Sequence, residues 1–347
     1  MSLLPRRSGK VAGLILLAIV LALWLALRLV GRPLLNGRSP YTVATNWPRL
    51  PPGLVLGQVT GIDVDSQGRV FVFARGEKVW DAEPIDPAII SSPAVYVFDG
   101  PTGELLNSWG ENRFVMPHGL SIDNEDNVWL TDVGLHQVYK FDPNGRLLLT
   151  LGEAGVAGSD ETHFNRPTDV AVRPDGSFYV SDGYLNSRVA RFAADGRYLF
   201  AWGSAGAGAG EFDVPHSLAL DAAGRVYVAD RGNARVQIFD EDGRFLTSWQ
   251  DDLRLGRPWA VRVGDDGFVY VVDGGDQNNW LPDRARILKL TTAGEIVDRF
   301  GAYGRQPGHF IWPHALAVAA DGTLYVAEVG SGRRIQKFLS FSSGLSR

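Results

Sequence analysis

Six histidines occur in the 347 residues, and three of them share one local setting. His118, His216 and His314 each follow a proline and open a short apolar segment, in PHGLSI, PHSLAL and PHALAV. The two intervals between them are equal, 98 residues from His118 to His216 and 98 from His216 to His314. Equal intervals place side chains at matching points of a repeating structure. Three converging imidazoles with a fourth position left open are the ligand set of a catalytic, zinc-like metal site. The chain has no cysteine, so thiolate ligands, a thiol nucleophile and disulfides are all excluded. His136, His163 and His309 show no comparable order and read as ordinary polar residues.

The elements that must carry these histidines are themselves periodic. Six segments align: VTGIDVDSQGRVFVFARG, PHGLSIDNEDNVWLTDVG, PTDVAVRPDGSFYVSDGY, PHSLALDAAGRVYVADRG, PWAVRVGDDGFVYVVDGG and PHALAVAADGTLYVAEVG. Each is a short apolar strand, a turn rich in Asp and Gly, and a second strand ending near Asp-x-Gly. Most continue with a third strand and a fourth that ends in Trp-Gly or Phe-Gly. The second residue of each unit serves as a reference: Thr60, His118, Thr168, His216, Trp259 and His314. Four strands per unit at steps of 43 to 58 residues predict an all-β, six-bladed β-propeller over residues 41–341, with a tail at 342–347. The last unit shows three strands, and Tyr41–Asn46 is expected to supply its missing outer strand and close the ring. In a ring of six, alternate blades are related by about 120°, so histidines on blades two, four and six can meet on the axis.

Internal repeats also separate what all blades share from what one blade carries alone. Fourteen residues after the reference come Ala74, Asp132, Asp182, Asp230, Asp273 and Glu328; five acidic residues in six blades read as turn-closing acceptors. Sixteen after it come Gly76, Gly134, Tyr184, Gly232, Gly275 and Gly330, so Tyr184 interrupts a run of glycines expected to have positive φ. Between these two positions, blades one and four carry Arg75 and Arg231 where the others are small or apolar. The residue entering the first strand of a blade and the residue leaving the second lie on the same face. A metal, two guanidinium groups and a phenol would then share one mouth of the channel. Arginine suits a substrate carboxylate, and a phenol whose pKa is pulled well below 10 can act as a base.

The net charge of −5 provides no electrostatic footprint for nucleic acid. Val11 to Leu27 is an uncharged apolar run, about 26 Å long as a helix, behind Arg6, Arg7 and Lys10 and ahead of Arg28, Arg32 and Arg38. Residues 1–10 read as a basic flank, 11–30 as one transmembrane helix and 31–40 as a linker. No small-x-small cleavage site follows, so an uncleaved single-pass membrane anchor with the propeller outside the cytoplasm is the expectation.

The segments VFARGEKVWD, MPHGLSIDNEDNVWLTDVGLHQVYKF, RPTDVAV…YVSDGYLNSRV, VPHSLAL…VADRGNARVQIF and PHALAV…DGTLYV resemble the peptidyl-α-hydroxyglycine α-amidating lyases, built from NHL-type repeats. That family is the lyase half of peptidylglycine α-amidating monooxygenase, and the similarity spans nearly the whole propeller. The resemblance implies a zinc-dependent lyase that splits a peptidyl-α-hydroxyglycine into a peptide amide and glyoxylate. It implies Zn2+ on His118, His216 and His314, Tyr184 as the base, and Arg75 and Arg231 as groups that bind or orient the substrate. Trp312 and Met116 are expected to line the substrate pocket, Trp312 standing where the family has a methionine near the metal. The family also has an aspartate after its third zinc histidine that helps hold Ca2+; here the residue is Ala315, which argues against that ion. With no copper monooxygenase segment in the sequence, the hydroxylated substrate is expected to be made elsewhere. A lactone or ester hydrolase using the same metal, and a non-enzymatic binding scaffold, are the two rival readings of this pattern.

Overall fold

In the computed structural model, residues 40–80, 83–277 and 283–340 are described. The Asp/Gly turns do what their chemistry requires. Asp65 Oδ1 accepts the backbone N–H groups of Gln67 (3.0 Å) and Arg69 (2.8 Å), and Gly68 at φ +75° lets the chain reverse. The same turn recurs at Asp221, whose Oδ1 accepts from Ala223 and Arg225. Strands of five or six residues, buried along most of their length, flank these turns.

The described residues form six antiparallel sheets of four strands, the six-bladed propeller expected from the repeats. The innermost strands are Val59–Val64, Pro117–Ile122, Pro167–Val172, Pro215–Leu220, Pro258–Val263 and Pro313–Val318. The strand Tyr41–Ala44 pairs with Ile335–Ser340, Tyr41 opposite Ser340 and Ala44 opposite Lys337, so the first strand completes the last blade. The core lies between blades; Trp129 of blade two, for example, packs on Phe178 of blade three at 4.4 Å between centroids.

Two features bear on the channel, the first in every blade and the second in five of the six. First, the register of each inner strand slips around the reference residue, as between Pro215 and Ser217, or Pro313 and Ala315. Such a bulge takes one residue out of the ladder and re-aims its side chain. Second, the acidic residues that end the second strands are more than turn closers. Asp132, Asp182, Asp230, Asp273 and Glu328 are fully buried. They accept the N–H groups of Val115, Asn165, Asp213, Arg257 and Ile311, which lie on the approach to the inner strand of the same blade. Four of them also hold an arginine: Arg188, Arg235, Arg286 and Arg334, at 2.6–3.0 Å. A buried carboxylate is tolerated when its oxygens are satisfied by such donors, as Asp132 is by backbone N–H groups alone, and these bonds anchor the entry to five of the six inner strands.

The glycine expectation needs correction. Gly76, Gly275 and Gly330 have positive φ, but Gly134 and Gly232 do not. Those two are small because a Cβ there would lie 2.5 Å from Val115 Cγ1 or 2.6 Å from the Asp213 carbonyl oxygen. Tyr184 likewise has no positive φ, so its place in that series carries no backbone strain. The expected transmembrane helix at 11–30, with its flank, the linker up to residue 39 and the tail, lies outside the described residues; among those described, no helix is long and apolar enough to cross a membrane.

The closing seam provides a test. Phe338 is buried at 2% exposure on the last strand, opposite Val43, with Phe300 and Phe310 at 5.0 and 5.5 Å. Phe338→Ala is expected to cost about 3–5 kcal/mol in urea unfolding. A loss below about 1 kcal/mol would show that the seam does not hold the ring together.

Candidate metal centre and active site

The reference residues of blades two, four and six bring their imidazoles together on the axis. His118, His216 and His314 are buried, with ring centroids 4.7, 4.8 and 4.9 Å apart and ligand nitrogens all within 4.8 Å of one another. Each ring is fixed by a neighbouring blade. His118 Nδ1 lies 2.7 Å from the Thr168 carbonyl, His216 Nδ1 2.6 Å from that of Trp259, and His314 Nδ1 2.7 Å from that of Thr60. These three carbonyls belong to the reference residues of blades three, five and one. A carbonyl only accepts, so each Nδ1 carries the hydrogen and donates it, and each Nε2 presents a lone pair.

The surroundings keep the rings neutral. Burial, reinforced by Arg75, lowers the His118 pKa to about 3. Burial also holds His216 and His314 well below the ordinary imidazole value, with repulsion from His118 adding to it. Three neutral, fixed nitrogens of one type, with no competing protons near neutrality, are a donor set that fits zinc and similar divalent ions.

Tyr184 reaches this centre from the loop after the second strand of blade three. Its hydroxyl is 3.0 Å from His118 Nε2 and 2.9 Å from His216 Nε2, and its ring packs on Trp80 at 4.7 Å. Burial raises the phenol's pKa, while Arg231 and Arg75 pull against that rise. Arg75 is buried between Trp80, 5.4 Å from the guanidinium carbon, and two acceptors, Gln58 Oε1 at 2.6 Å and the Pro117 carbonyl at 3.0 Å. Burial lowers its pKa to about 10, which leaves it charged at neutral pH. Arg231 lies over the Trp259 ring at 3.9 Å and donates to Gln277 Oε1 at 2.9 Å. Among the described residues neither guanidinium forms an ion pair with a carboxylate. Each rests instead on an aromatic face and a side-chain amide, which hold it in place without neutralising it.

Above the triad opens a cleft of about 730 Å³, bordered by Arg75, Trp80, Tyr184, Arg231, Trp312 and His314. Six predicted residues thus converge as the sequence implied, and Trp312 joins them on the wall. Met116 does not line the cleft. It is buried in an apolar cluster with Val115 and Val133, against which Tyr184 and Trp80 pack, so it supports the site from beneath. Ala315 faces the narrow channel on the other side of the triad. Sequence reading missed Gln58, Trp80, Trp259 and Gln277, which hold the two arginines. A signal existed only for Trp259, the sole aromatic among the six reference residues.

The NHL repeat family matches residues 212–239. The chain is 38% identical over 300 residues to the peptidylglycine alpha-amidating monooxygenase of Rattus norvegicus, covering 80% of this chain and 30% of that protein. The chain thus spans about a third of the length of such relatives. It is 34% identical over 315 residues to peptidyl-alpha-hydroxyglycine alpha-amidating lyase 2 of Drosophila melanogaster, covering 84% of this chain and 73% of that one. Among solved structures, a gluconolactonase of Xanthomonas campestris aligns with a TM-score of 0.58 at 13% identity, covering 86% of this chain and 89% of the other. A streptogramin B lyase aligns with a TM-score of 0.56 at 12% identity, over 86% and 97%. Those two likenesses concern the fold alone. With the Drosophila lyase covered over most of its length, the chain belongs to the peptidyl-α-hydroxyglycine α-amidating lyase family.

Proposed function

We propose that the protein is a zinc-dependent carbon–nitrogen lyase that splits a peptidyl-α-hydroxyglycine into a peptide amide and glyoxylate. The observation that carries this reading is the Tyr184 hydroxyl, within 3.0 Å of two triad nitrogens and flanked by two arginines that form no ion pair with a carboxylate among the described residues. Relatives named for this activity support it.

The reaction breaks the bond between the amide nitrogen and the hydroxyl-bearing carbon. The hydroxyl loses its proton, its oxygen becomes the aldehyde of glyoxylate, and the departing nitrogen gains a proton. Arg75 and Arg231 are placed to take the carboxylate of the α-hydroxyglycine, the charge that distinguishes this substrate from the amide product. Their positive charge also favours the phenolate form of Tyr184 against the opposing effect of burial. As phenolate, Tyr184 accepts the hydroxyl proton; as phenol, it can return a proton to the leaving amide nitrogen. A divalent ion on the three Nε2 atoms would supply Lewis-acid polarisation and a further positive charge in the same place. The indole of Trp312 and the exposed face of Trp80 border the cleft and offer apolar surface to the residues that precede the hydroxyglycine. We also propose that the apolar run at 11–27 anchors the chain in a membrane with the propeller outside the cytoplasm, a reading supported by the sequence.

Two measurements test the reading. The full chain is expected to release glyoxylate from α-hydroxyhippurate, to stop when chelated and to resume with zinc. His216→Ala, Tyr184→Phe and Arg231→Ala should each lower the rate by about 10²-fold or more; full activity in all three would refute the mechanism. Zinc affinity is the second. A site of three unperturbed histidines loses roughly 10³-fold in affinity between pH 7.5 and 5.5, because each must shed a proton below about 6.5. Here the folded pKa values lie below that, at about 3 for His118, so protons compete only at lower pH. The loss measured by competition with a chelating dye should stay under about tenfold.

A further inference from the structure

On the side of the triad away from the cleft, the channel narrows to a cavity of about 10 Å³, room for no more than one water. Arg262, on the inner strand Pro258–Val263 of blade five, is the cationic residue among those that line it. Three residues after the reference, the six blades carry Asp63, Ser121, Ala171, Ala219, Arg262 and Ala317, so blade five alone sends a cation inward.

The contacts of this guanidinium come from four blades. Its Nη1 lies 2.9 Å from Asp169 Oδ2, 3.0 Å from Ser217 Oγ, 3.0 Å from the Val261 carbonyl and 3.2 Å from the Leu218 carbonyl. Its Nη2 lies 3.4 Å from the Leu120 carbonyl. Five oxygens, four of them around a single nitrogen, surround the positive charge. Asp63 of blade one adds its field from the remaining side: burial lowers the guanidinium's pKa, but Asp169 and Asp63 outweigh it. Carbonyls and carboxylates converging on one point are the hard-oxygen set that holds calcium. In this chain the ion's place is taken by a side chain, and Ala315, which also lines the cavity, contributes no oxygen beyond its backbone. Calcium does not fit these residues.

We infer that Arg262 is a built-in replacement for a divalent cation: its guanidinium ties blades two to five together below the triad, and the channel takes up no calcium. This inference stands apart from the reaction proposed above and holds whatever the cleft binds. Without it the buried Asp169 and the half-buried Asp63, which feel each other's charge, would lack the cation that offsets their repulsion.

The test is thermal unfolding of the full chain, stripped of divalent ions, resupplied with zinc, and melted with or without millimolar calcium. The wild type is expected to show the same Tm in both. Arg262→Met, which leaves the oxygens but removes the charge, is expected to melt several degrees lower and to recover most of that loss when calcium is added. A wild-type Tm that rises by several degrees with calcium would overturn the inference, as would an Arg262→Met protein indifferent to the ion. Should Arg262→Met fail to fold, Arg262→Lys decides together with the wild type. It keeps a charge in the cage and should melt identically with and without calcium, whereas stabilisation by calcium would count against the inference.

Discussion

Each imidazole of the triad is held by a blade other than its own. His118 donates to Thr168, His216 to Trp259 and His314 to Thr60, each bond 2.6–2.7 Å long. Those three bonds alternate around the ring, histidine on the even blades and carbonyl on the odd ones. The centre therefore exists only when all six blades are present and the ring is closed. Closure depends in turn on the strand Tyr41–Ala44, which pairs with the last strand of the chain across nearly 300 residues of sequence. Stability of the fold and geometry of the site are the same property here, because the ligand orientation is set by inter-blade contacts rather than within one blade.

Burial acts on this centre in opposite directions for its different groups. It removes protons from the histidines, which favours ligation, and it raises the phenol of Tyr184, which works against a basic oxygen. The two arginines oppose the second effect, although burial remains the larger one. They stand over Trp80 and Trp259 and are held by glutamine oxygens, so their charge stays available to whatever enters the cleft. A carboxylate partner would have held them as firmly while cancelling the charge. Elsewhere in the propeller arginine is used the other way, as at Arg188, Arg235, Arg286 and Arg334, each bound to a buried carboxylate. The same residue type is structural where it is paired and available for chemistry where it is not.

The buried acidic series that ends the second strands shows how repeat reading can be right about role and incomplete about cause. Asp132, Asp182, Asp230, Asp273 and Glu328 looked structural because five blades share them, and they are. Their partners lie 16 or 17 residues earlier in the same blade, on the approach to the inner strand, a spacing whose meaning appears only once the strands are paired. Their effect reaches the site nonetheless, since the segments they anchor lead into the bulged residues that carry the histidines.

By itself, the sequence determined the blade count, the alternation of the three histidines and the exceptional character of Tyr184, Arg75 and Arg231. These are legible because a repeat supplies its own baseline, and departures from it are visible one residue at a time. Only the tertiary structure decided that Met116 lies under the site rather than in it, and that Gln58, Trp80 and Gln277 hold the arginines. Only it showed that Gly134 and Gly232 are small for packing rather than for φ. It also decided what lines the channel. Nothing in the segment PWAVRV names the partners of Arg262, and its place among five oxygens from four blades depends on the closure of the ring. The physical reason is common to all of these: periodicity specifies which face a side chain takes, whereas its partners, within the blade as for Gln58 on Arg75 or across blades as for Leu120 on Arg262, are set by the folded ring at sequence separations that local pattern does not encode.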